Sequence, residues 1–230
     1  MKRSVGTSRG SWVIVVSSFL VARTDLSHSA ADAHRPGGRC RAYGGCVPTL
    51  TVPALADAVV RLRPWRPGDA DAQLAAFCDP VFLRFSDWAP TGREEVLGRI
   101  ASVERARVEG RGLHLAVVAA DDPSAVLGEV SLSGIDLDQG RASVGYWLAP
   151  AARGRGAAAR AVRLLTRWAL TDLGLARLEL TCGPDNLASQ KVATRCGFQQ
   201  EGLLREHLRF TGGRRDSLLF SLLPSDLPAA

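Results

Sequence analysis

The order of elements along this 230-residue chain predicts a mixed α/β sheet. Three observations carry that prediction. Several short runs alternate apolar and polar residues with period two. A strand–helix–strand crossover follows them, and two strand-like runs around a Gly-Gly turn close the chain.

Taken in order, "AVVRLRPWRPGDADAQLAAFCD" opens with Val60 and Leu62 in alternation and breaks at Pro64 and Pro67. A helix then starts near Asp69, whose carboxylate is placed to cap the first-turn amides. "TGREEVLGRIASVERARVEG" reads as a second helix, with Val96, Ile100 and Val103 on one face and Gly110 near its end. "LHLAVVAADDP" and "AVLGEVSLSGID" are two strands joined by a turn at Asp121 to Ser124, and "ASVGYWLAP" is a third, ended by Pro150. From about Gly156 to Leu173 a helix presents Val162, Leu165 and Ala169 on one face and Arg160, Arg163 and Arg167 on another, with Gly174 placed to stop it. "ARLELTCGP" is a strand and "DNLASQKVATRCGF" a short helix; "LREHLRF", "TGGRRD" and "SLLFSLL" form the closing hairpin.

Hydrophobic residues make up 46% of the chain, enough for a buried core. The net charge of +6 raises nucleic acid as a partner, but its distribution argues against one. Residues 1–55 hold seven Lys/Arg against two acids, whereas the remainder holds 22 against 21. A nearly neutral body has no broad claim on a phosphate backbone. The five cysteines (Cys40, Cys46, Cys78, Cys182 and Cys196) are odd in number, form no C-x-x-C pair and lack histidines at ligand spacing. Reduced, mostly buried thiols are expected, with no disulfide framework and no metal.

Residues 1–56 read as an extension, 57–225 as one domain and 226–230 as a tail. The extension places Lys2, Arg3 and Arg9 before the apolar run "SWVIVVSSFLVA", with "ADA" following, as a secretory signal would. The run is short for a membrane span. An upstream misplaced start, a disordered tail and a membrane-surface anchor remain open beside it. The expected location of the domain is the cytoplasm, with no membrane contact for the folded part.

"LAPAARGRGAAARAVRLLTRWAL" joins small residues and two arginines to the start of the long helix. Gly154 and Gly156 fit a plain tight turn. They also fit the dinucleotide pattern G-x-G-x-x-A with Ala159 and Glu179, though too few βαβ units follow for that fold. The third reading uses every residue: a bulk-free helix start lets a diphosphate reach unpaired amides, helped by the helix dipole and by Arg153 or Arg155.

"GYWLAPAARGRGAAARA" together with "NLASQKVATRCGFQQEGLLRE" resembles the GNAT superfamily of acyl-CoA N-acyltransferases, more narrowly its ribosomal-protein N-terminal acetyltransferase branch. The likeness runs from about Val59 to Leu223. It implies a mostly antiparallel mixed sheet, splayed at its centre, with helices on both faces. It also implies acetyl-CoA as cosubstrate, a bulge in "SVGYWL", and pantetheine binding by main-chain groups of Trp147, Leu148 and Ala149, one amide polarising the thioester oxygen. Amides from Arg153 through Gly154, Arg155, Gly156 and Ala157 to Ala158 would hold the diphosphate. Asn186 and Ser189 would reach the arm and the sulfur, with Ser189 as the proton or hydrogen-bond donor, because Ala193 stands where many members carry a tyrosine.

The catalytic base is open between Glu206, His207, Glu129 and a water chain; Glu206 is the leading choice. Tyr146 and Trp88 are candidates for the acceptor pocket, with Trp65 a further aromatic nearby. The expected reaction is direct acetyl transfer to a primary amine, either a protein N-terminal α-amine or a small-molecule amine such as an aminoglycoside or polyamine. An acyl-CoA-binding sensor of the same fold is the alternative, and an NAD-binding oxidoreductase the remote one. The protein is expected to be a monomer or homodimer.

Overall fold

Strand alternation sorts the side chains of a single sheet onto two helical layers. The computed structural model describes residues 49–86 and 88–228, and the backbone of a two-residue strand β1 (Ile14–Val15). The other strands are β2 (Leu55–Ala56), β3 (Val60–Pro64), β4 (Gly112–Ala119), β5 (Val126–Asp136), β6 (Arg141–Leu148), β7 (Arg177–Cys182), β8 (Gln199–Phe210) and β9 (Gly213–Leu222). They lie in the order β2-β3-β4-β5-β6-β7-β9-β8, antiparallel except for β6 beside β7. The helices are α1 (Ala70–Phe77), α2 (Pro80–Phe85), α3 (Arg93–Val108), α4 (Ala157–Thr171) and α5 (Leu187–Arg195). The expected splayed sheet with helices on both faces is the observed one.

On β6, Ala142, Val144, Tyr146 and Leu148 point into the layer that holds Val162, Leu165 and Ala169 of α4, with Val192 and Ala193 of α5. Trp147, of opposite parity, points the other way, onto Phe77, Phe82, Val96 and Ile100. Each fully buried Val or Leu stabilises such a layer by about 1.5–3 kcal/mol relative to exposure. The three arginine-bearing positions of α4, Arg160, Arg163 and Arg167, are exposed as the pattern requires. Gly110 and Gly174 take left-handed φ values of 65° and 76° just past α3 and α4.

Three local readings change. Asp69 does not cap α1. Its carboxylate turns back, takes two hydrogen bonds from the buried Arg63 guanidinium and accepts the Arg66 amide at 2.8 Å. A charged partner outcompetes the neutral amides of the helix start. Second, α2 is an additional helix, capped by the Asp79 carboxylate, which accepts the Phe82 amide. Third, the folded domain takes in residues 49–56: Leu50 is buried, and its backbone exchanges hydrogen bonds with Arg107. At the other end Asp226 accepts the Leu223 amide and Gln199. The signal-like run otherwise lies outside the described residues; within it, Ile14 and Val15 pair antiparallel with Trp147 and Tyr146.

The layer beneath α1 and α3 holds a buried ion pair. Glu129 on β5 receives Arg99 from α3 at 2.7 Å, the Trp65 indole N–H at 2.7 Å, and lies 3.2 Å from His114 Nδ1. Only 4% and 1% of the Arg99 and Glu129 side chains are exposed, so four segments meet on one carboxylate. Burial pushes the Glu129 pKa up, but Arg99 and His114 outweigh it and hold it at about 2. Folding lowers this pKa. The stabilisation is therefore complete above the usual carboxylate range and is lost as pH falls toward about 2. Glu129→Gln should cost about 3–5 kcal/mol at pH 7, because it strands the Arg99 charge. Urea midpoints of wild type and variant, compared at pH 7 and in acid, check both statements: the gap should narrow in acid.

Candidate active site

The site forms where β6 and β7 separate. They pair in parallel over Arg141–Arg177, Ala142–Leu178 and Ser143–Glu179, and no further. Beyond Ser143 one edge of β6 leaves its partner, while the other edge stays zipped to β5 from Ser133–Ser143 to Gly128–Leu148 without a register shift. The bulge expected within "SVGYWL" is therefore absent from that ladder; the β5–β6 shift lies between Ser133 and Asp136. The strands diverge by separation alone.

Register decides which main-chain groups face the gap. Ala149 donates to Leu127 O at 2.9 Å, so the odd-numbered positions of this stretch bond β5. Alternation directs the amides of Tyr146 and Leu148 to the opposite edge. Of the expected trio Trp147, Leu148 and Ala149, only Leu148 has its amide turned to the gap; the Ala149 amide is bonded to β5. That edge does accept extended chain, since β1 pairs on it.

Past β6, Pro150–Ala152 form a short 3-10 turn and the chain reaches Gly154 and Gly156, with left-handed φ of 78° and 82°. Both are exposed, with open space where a Cβ would stand. The first intrahelical donor of α4 is Arg160, bonded to Gly156 O, so the amides of Ala157, Ala158 and Ala159 precede the ladder. Their side chains are buried, which turns the helix start with its backbone outward. Arg153 departs from expectation. Its guanidinium donates to Leu148 O at 3.1 Å and to Asp79 at 2.7 Å, fixing the loop to α2. A carboxylate 2.7 Å away already claims its charge, which leaves the exposed Arg155 for an incoming anion.

On the far side of the gap, Asn186 caps α5 by accepting the Ser189 amide at 3.1 Å. The cap role therefore belongs to Asn186, and the Ser189 side chain is committed elsewhere. Its Oγ lies 3.2 Å from the Tyr146 hydroxyl. Burial raises the Tyr146 pKa well above the ordinary phenol, with Ser189 partly opposing, so the phenol stays protonated. Burial likewise pushes the Cys182 thiol to about 11, against a hydrogen bond with Ser189, and Cys196 to about 11. Tyr146, expected at the acceptor pocket, thus sits fully buried behind Ser189. Trp88, the other candidate, packs edge-on against Phe77 at 4.7 Å beneath the Arg99 guanidinium, and Trp65 is bound to Glu129.

A cavity of about 660 Å³ opens beside Cys182 and Asn186, walled by Arg84 and Phe85 of α2 and by Leu208, Phe210, Arg214, Arg215 and Asp216 of the hairpin. Neither Tyr146, Trp88 nor Glu206 lines it. Glu206 is exposed on a β8 irregularity between Leu204 and Leu208, at a left-handed φ of 49°. Asp216 accepts its amide at 2.8 Å and Arg214 donates to its carbonyl at 2.6 Å, which holds the strained turn. Of the other candidate bases, Glu129 is ionised and enclosed by its partners. Burial, then Arg214, lowers the His207 pKa and keeps the ring neutral near pH 7.

Residues 60–199 match the acetyltransferase (GNAT) domain family. The chain is also 31% identical over 163 residues to p20, an N-acetyltransferase of Bacillus licheniformis that is itself uncharacterized, covering 70% of this chain and 91% of that one. The chain belongs to the GNAT acetyltransferase family. Among solved structures, this acetyltransferase resembles Mycobacterium smegmatis RimJ in complex with CoA-disulfide, at 26% identity and a TM-score of 0.68, over 77% of this chain and 88% of that one. It shares the fold of the microcin C7 self-immunity acetyltransferase MccE in complex with acetyl-CoA and AMP (23% identity, TM-score 0.68, 76% and 98% coverage). Among the described residues no helix is long and apolar enough to cross a membrane, and no group of three metal-ligating side chains occurs.

The burial of the thiols generates a direct check. Iodoacetamide at pH 8 should modify the exposed Cys78 in the native protein, while Cys182 and Cys196 react only after denaturation. Peptide mapping by mass spectrometry reads the three sites separately.

Proposed function

We propose that this GNAT acetyltransferase uses acetyl-CoA and transfers the acetyl group directly to a primary amine. The observation that carries the reading is the junction of two features: a glycine-rich helix start with its backbone outward, and a β6 edge that β7 leaves beyond Ser143, where the two-residue β1 pairs with Tyr146 and Trp147. A diphosphate fits the first, held by the amides around Gly154 to Ala158 and by Arg155. The pantetheine arm fits the second, lying along β6 as an added strand in the place that Ile14 and Val15 take here.

In the reaction the uncharged amine nitrogen attacks the thioester carbonyl carbon, the C–S bond breaks, and the thiolate leaves. The Leu148 amide is the main-chain donor for the carbonyl oxygen as charge collects there. Ser189 gives the departing sulfur a hydrogen bond, its hydroxyl positioned by the protonated Tyr146 phenol, and the thiolate takes its proton from solvent. The amine's own proton goes to solvent. Glu206, outside the cavity walls, is not assigned as the base. An α-amine, with a pKa of about 7.7–8, is already partly neutral and needs least help; a lysine near about 10.4 needs most.

Free-thiol release from acetyl-CoA over a panel of N-terminal peptides and small amines tests the assignment. Binding without turnover on any acceptor would instead support a sensor of the same fold, a reading that Ala193 keeps alive by leaving α5 without a tyrosine. Gly156→Glu should weaken coenzyme binding at least about tenfold by calorimetry, combining left-handed strain with an acid at the diphosphate site. Ser189→Ala should lower kcat by about 10²-fold while the KM for acetyl-CoA moves little.

A further inference from the structure

The cavity between α2, the start of α5 and the hairpin has a charge imbalance that bears on the acceptor. Arg84 is neutralised: it meets Asp185 at 2.6 Å. Arg214 and Arg215 are not. Arg214 donates to the carbonyls of Glu206 and His207, and Arg215 donates to the carbonyl of Arg84 while its guanidinium lies 4.1 Å over the Phe210 ring. Among the described residues neither has a carboxylate within 4.0 Å. Asp216, the remaining acid of the walls, accepts the Glu206 amide and keeps its charge, so the walls hold three arginines against two acids. Around the adjoining hairpin tip Arg209 joins Arg214 with no acid between them.

Carbonyl contacts fix these two guanidiniums in place without cancelling their charge. A positioned arginine pair without a carboxylate in contact, in walls with an excess of positive charge, recognises carboxylates through paired N–H donors and repels cations. The cavity's far wall is β8, which lies at the edge of the sheet. An edge strand offers main-chain groups to an extended chain. The volume of about 660 Å³ also far exceeds what an amino group alone requires.

We infer that the acceptor is the α-amine of an acidic peptide segment, extended along the hairpin with its first carboxylate side chains on Arg214 and Arg215. This rests on the acetyltransferase reading above and narrows it: polyamines and aminoglycosides, whose cations would face the same two arginines, are disfavoured. The charge of the acceptor's neighbouring residues, rather than the reactive amine itself, then sets specificity.

Initial rates with acetyl-CoA and short peptides sharing one N-terminal residue, followed by acidic, neutral or basic residues, test this alongside spermidine and kanamycin. The acidic peptide should show the highest kcat/KM, and that advantage should shrink as salt is raised. Arg215→Glu should lower kcat/KM for the acidic peptide by about five- to tenfold, and change the neutral peptide and the KM for acetyl-CoA by less than about twofold. Arg209→Glu, a fully exposed change, should act in the same direction and serves if the first variant misfolds. Equal or faster turnover of basic peptides, spermidine or kanamycin overturns the inference and leaves the transferase standing. Acetyl-CoA binding with no turnover of any acceptor overturns both.

Discussion

Two parallel strands that pair for three residues and then part are the constraint from which the rest of the site follows. A fully zipped β6–β7 pair would leave no edge for an acyl carrier and no room for Ser189 to approach one. The separation survives because other contacts occupy both strands. β6 is bonded along its whole opposite edge to β5, and β7 is bonded along its length to β9. Tyr146 and Ser189 meet across the parted region, tying β6 to α5 where β7 no longer pairs with it. The gap is thus bounded by full ladders on its outer sides and one hydroxyl pair at its base.

The opposite layer has a different organising group. Glu129 collects α3, β4 and the segment after β3 onto one carboxylate, and its cross-strand neighbour is Trp147. Trp147 in turn stacks on Trp65 with centroids 5.9 Å apart and meets Phe77 at 5.0 Å. A group that looked from the sequence like a possible base is therefore structural. It is ionised, enclosed and satisfied, which is the opposite of what proton abstraction needs. Its location in the middle of β6's backing strand means that the position of Trp147, and with it the backbone at the gap, depends on an ion pair rather than on apolar packing alone.

How much of this the sequence disclosed depends on the range of the interaction. Period-two and period-3.6 patterns located every long strand and the helices α3, α4 and α5, because burial of one face acts within the segment itself. The glycine-rich helix start was legible as a run without bulk ahead of α4, whereas the roles of Asn186 and Ser189 came from the family likeness. What stayed hidden involves partners far apart in the chain. Arg99 and Glu129 are each unremarkable on their own elements and acquire meaning only when 30 positions of chain bring them together. Asp69 carries a good cap signature, yet Arg63 captures it. At six residues α2 is too short to show a helical period, and its Pro-Val-Phe-Leu start reads equally as extended chain. The absent β6 bulge was inferred from likeness, and only register reports it. The cavity beside Cys182 and Asn186 is assembled from three separated segments, so no single motif announces it.

Asp79 joins the two halves of the proposed chemistry. One of its oxygens accepts both the Phe82 amide at the start of α2 and the Arg153 guanidinium from the glycine loop. The other end of α2 is Arg84 and Phe85, which wall the cavity. With α2 only six residues long, one carboxylate anchors both the glycine loop and the helix whose far end walls the cavity. Losing that carboxylate would therefore loosen the glycine loop and the cavity wall together, although the two lie at opposite ends of the helix.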